Sequence, residues 1–138
     1  MIAYSAIYIS IAMVMLIILS VMVIRERRKS HVSLLGNDKD TPLARKIRAH
    51  GNFCEYTPFF LLGLFALEVL GATANTIHIV GSTFLLGRAL HAFGILFYEP
   101  THDKKQASTF NYRTTGMVLS LTSLGFVAVA ILYYSFLR

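Results

Sequence analysis

The stretch RAHGNFCEYTP (residues 48–58), followed directly by FFLLGLFAL (59–67), decides how this chain is read. A cation, an amide and an anion stand at the entrance to an otherwise apolar segment. Charge inside a bilayer costs a few kcal/mol or more per group, so it faces protein or water and marks function. Arg48, Asn52 and Glu55 fall at i, i+4 and i+7, which puts all three on one helix face. Such a stripe suits a ligand that carries both carboxylate and ammonium groups.

Outward from that stretch, the chain has 138 residues, 55% of them hydrophobic. Its mean hydropathy is +0.59, too apolar for an ordinary soluble domain. Residues 1–24, 69–87 and 114–137 carry no Asp, Glu, Lys or Arg, and each is near the roughly 20 residues that span a bilayer. With the stretch quoted above, the pattern predicts an all-α integral membrane four-helix bundle in one domain. The helices are expected at about 2–25, 43–70, 75–98 and 111–136.

The first segment is not built as a signal peptide. MIAYSAIYIS precedes its apolar run without a charge, and RERRK (25–29) follows it. The connection from Arg25 to Arg48 is rich in Lys and Arg, GATANT (71–76) has none, and Lys104, Lys105 and Arg113 return. The positive-inside rule then puts the first and third connections in the cytoplasm and both termini outside it. The net charge of +6 is mostly this topology signal, with anionic lipid as a contact. Nucleic-acid binding is not expected, because no basic face is interleaved with aromatics.

Thr41-Pro42 reads as an N-cap with proline at the first helical position. Pro58 is expected to kink the second helix beside the polar cluster. Residues 36–40 read as a turn and 99–105 as a solvated loop, and Ser108 or Thr109 is expected to cap the fourth helix. The histidines show no zinc-site spacing. The single cysteine, Cys54, excludes an internal disulfide and reads as a packing residue, with no histidine or acid arranged to activate it.

Each candidate residue has a functional and a plainer reading. Arg48, Asn52 and Glu55 hold a ligand, or they form a structural network in which Arg48 snorkels and Glu55 pairs with an arginine of another helix. Arg88 lies deep in the third helix and needs a partner, for which Glu55 is the natural candidate. His91, one turn on, contacts a ligand or a neighbouring carbonyl. Arg113 opens the fourth helix, where the dipole is positive, and a guanidinium there favours a bound thiolate. Thr114 adds a hydroxyl beside it. Arg25 is close enough to the first helix to reach a carboxylate in a neighbouring site.

RKIRAHGNFCEYTPFFLLG (45–63), GRALHAFG (87–94) and the arginine of YRTTG (112–116) together resemble the MAPEG family, membrane-associated proteins in eicosanoid and glutathione metabolism, in its bacterial, YecN-like branch. The resemblance implies a homotrimer of four-helix protomers, with glutathione as cosubstrate between protomers near the cytoplasmic face. It implies that Arg48 binds a glutathione carboxylate, that Asn52 and Glu55 hold polar groups, and that Glu55 takes the ammonium. It further implies that His91 contacts the tripeptide, that Arg25 reaches in from the next subunit, and that Arg113 stabilises the thiolate. Gly51, Ile95 and Met117 stand where many eukaryotic members have an arginine and two tyrosines, which argues against eicosanoid synthesis.

The expected function is therefore a glutathione-dependent membrane transferase or peroxidase acting on small hydrophobic electrophiles. The alternative is a non-catalytic membrane protein that binds a lipid or partner, its polar cluster serving trimer assembly. A proton-coupled exporter ranks last, because cations around Glu55 keep it ionised.

Overall fold

The computed structural model describes residues 3–32, 41–98 and 111–136. They form α1 (Ser5–Ser30), α2 (Pro42–Val69), α3 (Ala74–Phe93) and α4 (Tyr112–Phe136), with a π-helical turn at Gly94–Tyr98 continuing α3. The all-helical membrane bundle expected from the sequence is what the described residues build. By length and composition α1, α4 and the stretch Ala74–Phe97 suit a membrane span. Arg45, Lys46, Arg48 and Glu55 give the first half of α2 a different composition.

The helix ends follow local chemistry. Thr41 caps α2, its hydroxyl accepting from the Ala44 N–H at 3.1 Å, with Pro42 just inside. Thr73 caps α3 in the same way, through the Thr76 N–H at 3.3 Å. Asn111 caps α4, its Oδ1 accepting from the Thr114 N–H at 3.1 Å. The expected caps Ser108 and Thr109 lie outside the described residues, as do the turn at 36–40 and the loop at 99–105. α1 runs past Arg25 to Ser30, and His31 closes it in the left-handed conformation at φ 53°. α2 remains one continuous helix through Pro58.

Tertiary contacts make neighbouring helices antiparallel. Glu68, near the end of α2, accepts hydrogen bonds from the Ser5 N–H at 2.9 Å and from the Tyr4 N–H and Ser5 hydroxyl, so a carboxylate satisfies the free donors at the start of α1. At the opposite end Lys46 pairs with Glu26. Tyr8 reaches from α1 to His78 of α3, its hydroxyl 2.8 Å from Nδ1. The core is centred on α2 and α3, where the rings of Phe60 and Phe84 stack at 3.7 Å and Leu64, Leu67 and Ile77 are fully buried. Ile7, Val14, Ile17 and Val21 of α1 and Val118, Val129 and Leu132 of α4 face outward, as lipid-facing residues do.

Candidate functional site

The site is built on a close approach of α3 to α4. A Cβ at Gly87 would stand 2.6 Å from Ser120 Oγ, and one at Gly116 would stand 2.4 Å from the His91 nitrogen. One at Gly94 would stand 2.6 Å from the Arg113 nitrogen. Glycine at each position lets the two backbones touch, which is how membrane helices gain packing without a hydrophobic driving force.

That contact buries Arg88, which is 2% exposed. Its Nε donates to Ser120 Oγ at 2.8 Å, and Nη1 donates to Asn52 Oδ1 at 3.0 Å and to the Asn52 carbonyl at 3.4 Å. Nη2 lies 3.7 Å from the Met117 sulfur. The guanidinium sits over the Tyr56 ring at 5.0 Å. The expected Arg88–Glu55 pair is therefore corrected. Asn52 and Glu55 differ by three residues, about 60° around a helix, and that rotation turns the amide to α3 and the carboxylate outward. Glu55 is exposed, with no hydrogen bond or ion pair among the described residues.

The second grouping joins α3 to the start of α4. His91 is buried, and its Nδ1–H donates to the Arg113 carbonyl at 2.9 Å. Arg113 and Thr114 are both exposed in the first turn of α4. Tyr112 packs edge-on against Phe93 at 5.5 Å. Phe93 also lines an apolar groove of about 230 Å³ between α1 and α3, with Met15, Met22, Ala92 and Phe97.

The fold thus joins Asn52 to Arg88 and His91 to Arg113. It leaves Arg25, Arg48, Glu55, Arg113 and Thr114 with exposed side chains on the protomer. Sequence reading missed Ser120, Met117 and Tyr56 as the cradle of Arg88, and no local signal names them. It also misread Cys54, which is exposed rather than packed. The His50 ring lies beside it, with Nε2 3.8 Å and Nδ1 4.0 Å from Sγ. The i, i+4 spacing of His50 and Cys54 was legible, since such pairs share a helix face. No group of three or more His, Cys, Asp or Glu side chains suited to a metal occurs among the described residues.

Comparison with known proteins points the same way as the motifs. The model of the MAPEG family matches residues 5–133. Inner membrane protein YecN of Escherichia coli K12 is 30% identical over 130 residues, covering 94% of this chain and 91% of that protein. YecN of Escherichia coli O6:H1 matches with the same identity and coverage. With helices long and apolar enough to cross a membrane and a match over nearly its whole length, the chain belongs to the MAPEG family and is an integral membrane protein.

Proposed function

We propose that the protein is a glutathione-dependent transferase or peroxidase acting on hydrophobic electrophiles, assembled as a homotrimer in a bacterial inner membrane with both termini outside the cytoplasm. One observation carries this reading. Glu55, an exposed carboxylate without an ion pair among the described residues, stands one turn from Asn52 and two from the exposed Arg48, on a helix whose next turns are apolar. An anion there calls for a cation from outside the protomer. Glutathione offers an ammonium for Glu55 and carboxylates for Arg48, with Arg25 completing the site from the next copy.

Asn52 is suited to bind as a donor. Arginine has donors only, so Asn52 gives its oxygen to Arg88 and keeps its NH₂ for the ligand. Arg113 stands at the positive end of α4, where it stabilises a thiolate; Thr114 supplies a hydroxyl, and His91 braces the turn through the Arg113 carbonyl. The acceptor enters from the lipid side along the α1–α3 groove, whose Phe93 touches Tyr112 next to Arg113.

Calorimetry with glutathione on the detergent-purified protein tests the proposal. Saturable binding lost in Arg48→Ala supports it, and Arg113→Ala then lowers turnover more than binding. The same exposed charge also fits a second reading, in which the polar stripe serves trimer assembly alone. In that case Glu55→Gln dissociates the assembly and no thiol ligand binds.

A further inference from the structure

We propose that the groove between α1 and α3 seats a phospholipid with an anionic headgroup, one acyl chain lying in the groove and the phosphate at Lys29. The site needs no glutathione; an acceptor entering by the same groove would displace the chain.

The groove has a volume of about 230 Å³. Leu19 and Ala92 are its buried floor, and the exposed side chains of Ile18, Phe93 and Phe97 are its rims. Ala89, small and exposed, leaves it open on the α3 side. Walls of hydrocarbon accept any alkyl chain, so the headgroup is chosen by the charge at the end of the groove.

That end is basic. Ile18 and Met22 of the groove are followed on the same side of α1 by Arg25 and Lys29, the four falling at i, i+4, i+7 and i+11. Side chains so spaced are neighbours, and the stripe turns from apolar to cationic without leaving its face. Arg25 and Lys29 are exposed, and neither side chain makes a hydrogen bond or ion pair among the described residues. Glu26, the one acid in α1, is already engaged by Lys46 of α2. Lys29 lies about 10 Å of helix rise beyond Met22. Helix side chains lean toward the N-terminus, which carries its ammonium back toward the mouth of the groove. A phosphodiester there meets a cation while its chain meets hydrocarbon. A zwitterionic headgroup would bring its own ammonium beside two cations, so a net negative headgroup is selected. Arg25 adds to this potential even where it also reaches a glutathione of the next copy.

The test is native mass spectrometry of the detergent-solubilised full chain, titrated with phosphatidylglycerol or with phosphatidylcholine of the same acyl chains. Salt at about 0.15 M screens distant charges. Phosphatidylglycerol should bind at least about five-fold more tightly, and Lys29→Gln should remove about five-fold of its affinity while leaving phosphatidylcholine unchanged. Arg28→Gln deletes the same charge roughly 100° around the helix, and should change either lipid by less than about two-fold. Ala89→Phe fills the groove from an exposed position and should weaken both lipids at least about ten-fold, with Ala89→Leu as the milder version if the first does not fold. Thermal unfolding of each lipid-free variant checks its fold. Equal affinity for the two lipids, equal losses in Arg28→Gln and Lys29→Gln, or unchanged binding in the filled groove overturns the proposal. Equal losses would mean a general attraction to the basic end of α1 in place of a site. Because glutathione is omitted, these outcomes are independent of whether the protein binds that tripeptide.

Discussion

The α3–α4 contact and the outward face of α2 both carry charge into a membrane helix bundle, and they treat it in opposite ways. At the contact, Arg88 is buried and served by Ser120, Asn52 and Met117 from two other helices. On the outward face, Arg48 and Glu55 are exposed, and Glu55 is left without an ion pair among the described residues. A charge satisfied inside the protomer supports the fold. The carboxylate of Glu55, presented outside it, is the group that the proposed ligand would meet.

The sharpest way to break this contrast is to separate α3 from α4. Gly116→Val places a Cβ where the His91 backbone already stands, and backbone cannot yield as a flexible side chain does. Overpacking of that kind costs about 1–3 kcal/mol or more, so we expect loss of the folded protein, read by size-exclusion profile and thermal unfolding in detergent. Arg88→Ala comes next, at roughly 2–4 kcal/mol, since it leaves a cavity and strips partners from Asn52 and Ser120. An Arg88→Ala protein as stable as the original would mean that the buried charge contributes nothing to the fold.

The outward face should respond differently. Glu55→Gln should change protomer stability by less than about 0.5 kcal/mol, as surface substitutions do, yet weaken glutathione binding at least about ten-fold. Equal effects on unfolding and on binding would erase the distinction between the two regions. The smallest expected effect is at the helix cap: Thr41→Ala should cost about 1 kcal/mol in thermal stability and leave ligand affinity alone. An effect on affinity would mean that the start of α2 moves with the site.

Much of this was legible in the sequence. Long charge-free runs can satisfy their backbone in lipid only as helices, so the fold class follows from composition. Thr41-Pro42 announced the start of α2 because the capping chemistry is local. Asn111 was overlooked although it immediately precedes α4 and belongs to the best capping residues. His50 beside Cys54 was likewise a local signal that went unread.

What the chain determined by itself, then, is the set of helices, the polar entrance to α2 and the family motifs, all of which rest on spacing within one segment. Which charges meet was decided only by the tertiary structure. Arg88 chose Asn52 and Ser120 over Glu55 because Gly87 and Gly116 draw α4 against α3 and the rotation of α2 presents its amide there. A helix periodicity gives the direction of each side chain relative to its own axis; the partner depends on how a second axis is rolled and set against the first, and that is settled by packing between residues far apart in the chain.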